Sequence, residues 1–178
     1  MMERVREDIR GLDRMQEVRR YFCKLAINHR LLGHTEHTPH FVWLNDEKDM
    51  LLPSQMGYPF MLLGHNGYVV SEDSMQRRWN MLLSVQTHVS DTGSEAEKNH
   101  AANMCGRILD EVLARATSLE ARLENKWLAG IDLDGANAFP VENEADALWG
   151  WYIEFGLSLP WCRRVEPKAW DDLKFLDV

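Results

Sequence analysis

The stretch MQRRWNMLLSVQTHVSDTGSEAEKNHAANMCGRILDEVL, residues 75–113, decides the fold. Its first part alternates. Met75, Arg77, Trp79, Met81, Leu83, Val85, Thr87 and Val89 fall on one side of an extended chain. Gln76, Arg78, Asn80, Leu82, Ser84, Gln86 and His88 fall on the other. From Trp79 on, this period of two with one apolar side predicts a half-buried antiparallel strand. Ser90, Asp91, Thr92 and Gly93 make a polar turn. Ser94 stands three residues before Glu97, the spacing of a capping box that satisfies free N–H groups at a helix start. Ala101, Met104, Cys105, Ile108, Val112, Leu113 and Ala116 then recur at helical spacing and form one apolar stripe. The unit is a sheet strand followed by a helix that lies across one face. It holds no catalytic pattern.

On the N-terminal side, residues 1–12 are highly charged and read as a frayed segment. A helix is expected from Asp13, with Met15, Val18, Phe22, Leu25 and Leu32 inward and Gly33 stopping it. Residues 34–40 are a polar connection. Residues 41–44 suit a short strand and 45–48 a turn. Residues 49–56 fit either a short helix or an extended arm. Residues 58–63 open a second strand, with Pro59 tolerated at its start or on an edge. Asn66-Gly67 is a good type I′ pair, yet Tyr68, Val69 and Val70 continue extended, so a hairpin turn and a bulged long strand both fit.

On the C-terminal side, the capped helix is expected to reach about residue 119 or further, since Leu123, Trp127 and Leu128 extend an apolar trace to Gly130. Residues 131–135 form an acidic loop or strand, and residues 137–142, with Pro140 inside, an edge strand. The last strand is residues 148–159. Trp149, Trp151, Ile153, Phe155, Leu157 and Leu159 share one face, and Pro160 ends it. The order is helix, three strands, helix, two strands. It predicts an α+β, two-layer domain over residues 13–160, a mainly antiparallel sheet covered on one face by helices. Residues 161–178 form an aromatic tail.

The 178 residues suffice for one domain with a real core. A formal net charge of -8 argues against broad charge-driven binding of nucleic acid or anionic membrane. No apolar run approaches the roughly 20 residues of a spanning helix, and the charged start has no apolar signal-peptide core. Cys23, Cys105 and Cys162 are far apart and odd in number, so a full disulfide framework is not expected and a reducing compartment is.

Candidate chemistry is sparse. His34, His37 and His40, with Glu36 among them and His29 nearby, could converge on a transition metal. All lie in one loop, however, without a distant Cys or His pair. A small metal-dependent enzyme built on them is one alternative reading. A monomeric α+β adaptor that offers a sheet edge is another. There is no G-x-S-x-G, no H-E-x-x-H and no glycine-rich phosphate loop. Asp132-Leu133-Asp134-Gly135 is similar to the start of a calcium loop but lacks its later ligands. Glu142, Glu144 and Asp146 read as a solvated acidic turn. No catalytic residue, metal or cofactor is expected, and the chain is not read as an enzyme. Arg77 and Arg78, beside Trp79, are candidate subunit-contact residues. Trp127, Trp161 and Trp170 are others, because seven tryptophans exceed what one small core needs and tryptophan is enriched at interfaces.

The order of elements resembles that of the tail terminator and tail-completion (head–tail joining) proteins of tailed bacteriophages. It does so through the leading helix, the short strand and the Tyr-Pro-aliphatic strand at 58–63. The long alternating strand, the polar turn, the capped helix and the final aromatic-aliphatic strand complete the order. The resemblance covers residues 13–160. It implies a virion structural protein of the tail or neck, assembled in the bacterial host cytoplasm. It further implies a homo-oligomeric ring, in the family usually a hexamer, that caps the tail tube and joins it to the head connector. Tube and connector proteins would be its partners. DNA would pass through without specific binding, past a surface whose acidity repels phosphate.

Overall fold

The computed structural model describes residues 10–44, 55–90 and 92–160. In chain order these are α1 (Arg10–Asn28), β1 (Phe41–Trp43), β2 (Phe60–Ser71), β3 (Gln76–His88), α2 (Glu95–Thr117), α3 (Leu119–Glu124), a 3-10 turn (Lys126–Gly130), β4 (Ile131–Asn143) and β5 (Leu148–Pro160). The expectations for residues 1–9, for residues 45–54, for Asp91, and for the tail with Trp161, Cys162 and Trp170 lie outside the described residues.

The five strands form one open sheet in the order β1-β2-β3-β5-β4. Every pairing is antiparallel except β1 with β2. The chain is therefore an α+β protein with a mostly antiparallel sheet and helices on one face, as the hydrophobic patterning requires. β3 and β5 lie at the centre and pair along their whole length, from Gln76 opposite Pro160 to His88 opposite Leu148.

Alternation sorts the two faces. On β3, Trp79, Met81, Leu83 and Val85 are buried with Ile153, Phe155, Leu157 and Leu159 of β5 in one core. The helices cover this side. Val18, Phe22 and Ala26 of α1 and Cys105, Ile108, Val112 and Ala116 of α2 fill the same core. The Cys105 thiol points at the Trp149 carbonyl, 3.8 Å away, and burial pushes it up to about 12, which makes it an inert core group. Gly106 lets the Trp151 indole lie against α2: a Cβ there would sit 3.1 Å from the ring.

Several boundaries differ from the sequence expectation. α1 begins at Arg10 rather than Asp13. It ends at Asn28, and a short turn follows before Gly33, which takes φ +57°. Asn66-Gly67 is a bulge, not a turn, and β2 runs straight through it, with the register shifting between His65 and Tyr68. Residues 131–143 are one strand, again bulged, between Asp132 and Asn137.

The capping box at Ser94 forms in full. The Ser94 hydroxyl accepts from the Glu97 N–H, and the Ser94 N–H donates to the Glu97 carboxylate at 2.7 Å. That bond holds the Glu97 carboxyl below the usual range. α2 stops at Thr117 because Ser118 turns extended and caps a new helix, accepting from the Ala121 N–H at 3.2 Å. The break shifts the helical phase. Ala121 and Leu128 are buried, but Leu119 and Leu123 face solvent, so the apolar trace expected through Leu123 is interrupted there.

Candidate functional site

The histidines of the polar connection serve the backbone. The His40 N–H donates to His34 Nδ1 at 2.9 Å, and the His40 ring Nδ1 donates to the Pro59 carbonyl at 2.6 Å. The His40 ring also occupies the place a side chain at Gly57 would need, and the Gly57 N–H reaches the Pro39 carbonyl at 2.9 Å. His34 stands edge-on to Phe41, and burial, helped by His40, pulls its pKa below the ordinary value. Thr35 closes residues 35–38 on themselves by accepting from the Thr38 N–H, and His37 is exposed. His29, just past the end of α1, bonds Glu111 of α2 at 3.0 Å. The nitrogens needed for a shared ion thus point to separate tasks. Among the described residues no three His, Cys, Asp or Glu side chains are grouped to hold a metal.

The other acidic candidates are likewise explained locally. Asp132 accepts from the Asp134 N–H and pairs with Arg78 at 2.9 Å, which shapes the β4 bulge. In the turn before β5, Asn143 and Asp146 bond each other, while Glu142 and Glu144 extend into solvent.

Arg77 and Arg78 do not form one basic patch, because neighbours on a strand point to opposite faces. Arg77 lies over the Tyr68 ring, 4.9 Å from its centroid. Arg78 lies on the uncovered face, over Gly156, where a Cβ would come within 2.6 Å of its guanidinium, and it is joined to Asp132. Between β1, β2 and β3 the rings of Trp43, Trp79 and Tyr68 gather around this end of the sheet. His65 sits 4.7 Å from Trp79, and burial lowers its pKa.

Trp127 meets Tyr21 edge to face at 5.5 Å. The two rings form part of the floor of a cleft of about 540 Å³ between α1 on one side and α2 and α3 on the other. Leu25, Val112 and Ala121 complete the apolar floor, and the rim carries both signs: Glu17, Arg20 and Lys24 on α1, Glu111 and Arg115 on α2, Glu124 on α3. Burial raises the Tyr21 pKa. Beside the cleft, Leu119 and Leu123 are 75% and 73% exposed. The sequence singled out Trp127 but neither the cleft nor the leucine pair. The signal was Ser118, an N-cap type in the middle of an apparent apolar stripe.

A second, shallower surface lies on the face of the sheet away from the helices. Leu44, Leu62, Leu82, Val141 and Tyr152 line a groove there. Phe139 stacks on Tyr152 at 5.3 Å and is 43% exposed. Ser84 and Gln86 at its base are bonded to each other, and the Ser84 hydroxyl donates to the Trp151 carbonyl. Exposed apolar area of this kind is found at interaction surfaces and at ligand-binding grooves.

No protein-family model matches the chain, and no curated protein is significantly similar to it. No helix of the described residues is long and apolar enough to cross a membrane.

Proposed function

We propose that this chain is a structural subunit of a phage or phage-like tail, one copy in a ring that terminates the tail tube and joins it to the head connector. The observation that carries the reading is the order and layering of the elements among the described residues: helix, three strands, helix, two strands, with an open sheet and helices on one face. This is the arrangement on which the resemblance to tail terminator proteins rests. The exposed apolar side chains support it. Leu119 and Leu123 on the helical layer and Phe139 on the sheet layer are available to neighbours rather than to a small substrate. The net charge of -8 suits a ring through which DNA slides without adhering.

The test is direct. The purified protein is examined by native mass spectrometry and negative-stain electron microscopy, and closed rings are expected. A chain that stays monomeric at high concentration counts against the reading.

A further inference from the structure

β1 and β2 are parallel neighbours, so the chain between them must cross a face of the sheet to start β2 at the end where β1 began. The molecule holds a second parallel crossover. β3 and β4 both run antiparallel to β5, which lies between them, so they are parallel to each other, and α2 joins them across the helical face. Both crossovers step the same way along the order β1-β2-β3-β5-β4, but their strands point in opposite directions, because β2 is antiparallel to β3. Parallel crossovers are right-handed in about 98% of cases. With one hand and reversed strands, the two connections fall on opposite faces. The β1–β2 connection therefore belongs on the face away from α1 and α2. The helical face is in any case filled over these strands: Val18, Phe22 and Ala26 of α1 share one core with Phe41, Trp43, Met61 and Leu63.

The side chains on that face point the same way. Phe41 and Trp43 belong to the core, so Val42 between them faces away from it, as do Phe60 and Leu62 on either side of the core residue Met61. Val42 and Phe60 are only 4% and 3% exposed, although neither is part of the core under the helices. Beside them, Leu44, Leu62 and Leu82 line the β1–β3 side of the groove. The Leu44 N–H donates to the Leu63 carbonyl, and from Leu44 residues 45–54 depart; the described chain resumes at Gln55. These ten residues read NDEKDMLLPS, five polar and then Met50, Leu51 and Leu52. At about 3.3 Å per residue they span up to roughly 33 Å, enough to reach out over β2 and β3 and back, since strands lie about 4.8 Å apart.

We infer that residues 45–54 cross the sheet on the face opposite the helices and seat Met50, Leu51 and Leu52 on Leu44, Leu62 and Leu82 of the same chain. The apolar half of the connection takes the groove, and the polar half stays in solvent. The sheet face is then divided. Its β1–β3 side is covered by the chain itself, which leaves the β4–β5 side, with Phe139 and Tyr152, to a ligand or a neighbour. The inference does not rest on the ring reading and stands or falls apart from it.

The experiment is a double-mutant cycle on the full chain, read by urea unfolding. The forms are wild type, Met50→Ala/Leu51→Ala/Leu52→Ala, Leu62→Ala/Leu82→Ala, and all five substitutions together. Each set alone lowers the urea midpoint at an unchanged slope. Together they lower it by less than the sum of the two shifts, because groups in contact share one loss, whereas groups more than about 7–10 Å apart add. Should the five-residue variant not fold, Leu51→Ala and Leu82→Ala form a smaller cycle with the same reading. The cycle is repeated at a much lower protein concentration, which separates a contact within the chain from one between copies. A shortfall that survives dilution supports the inference. An unchanged midpoint in the first variant, or an additive combination, overturns it. A shortfall that disappears on dilution also overturns it and gives the groove to a second copy.

Discussion

His65 is the residue whose surroundings make the clearest solution prediction. It is packed among Trp43 and Trp79, and burial holds its pKa below the ordinary value; His34 is lowered in the same sense. The unfolded chain therefore binds protons that the folded chain refuses. Stability attributable to these rings is fully present above the ordinary histidine range and is lost as pH falls through it. The thermal midpoint should drop between neutral pH and about pH 5.5. In His65→Phe, which keeps the ring but cannot titrate, the drop should be smaller; an unchanged slope would remove His65 from the account. Gly150 offers a steric test. A Cβ there would lie 2.1 Å from the Val85 carbonyl oxygen of the adjacent strand. Backbone on both sides cannot yield, so Gly150→Ala should destabilise by about 1–3 kcal/mol. Urea unfolding would measure it as a lower midpoint with an unchanged slope.

Among the elements, α2 depends on its start. Ser94 and Glu97 satisfy each other's backbone groups. Ser94→Ala should cost about 1 kcal/mol, which for a chain of this size lowers the thermal midpoint by about 2–4 °C. The sheet should be uneven in local stability. β3 is paired on both sides along its length, whereas β4 is an outer strand with a bulge between Asp132 and Asn137 and Pro140 within it. Native-state hydrogen exchange should be slowest in β3 and β5 and faster at residues 133–136. Uniform protection across β4 would contradict that ranking. The bulge and Pro140 also blunt the long strand against edge-to-edge pairing.

At the scale of the whole molecule, the acidity makes its own prediction. With a net charge of -8, and with Arg78 joined to Asp132, the chain should not retain duplex DNA in a gel-shift measurement at physiological salt. Tight retention would argue against a passage through which DNA slides. Exposed apolar groups occur on both layers of the described residues: Leu119 and Leu123 beside the cleft among the helices, and the Phe139–Tyr152 groove on the sheet.

The sequence by itself determined the class of fold and the order of its parts. Alternation at Trp79–Val85 and Trp149–Leu159, and a 3.6-residue stripe from Ala101 to Ala116, are local properties, and burying one face of each leaves few ways to assemble them. It also announced the capping box, because Ser94 and Glu97 act within one turn. The tertiary structure alone decided the rest. Whether Asn66-Gly67 turned or bulged depended on β3 being there to pair with Tyr68 and Val69. The histidines of residues 34–40 looked like one cluster, yet the His40 ring is held by Pro59 and Gly57 from another part of the chain, and His34 accepts from the His40 backbone. Arg77 and Arg78 are adjacent in sequence and lie on opposite faces of the sheet. The cleft has walls from residues about 90 positions apart, and such a recess has no local trace. Leu123 beside it read as part of the helix's apolar trace until Ser118 restarted the helix and turned it outward.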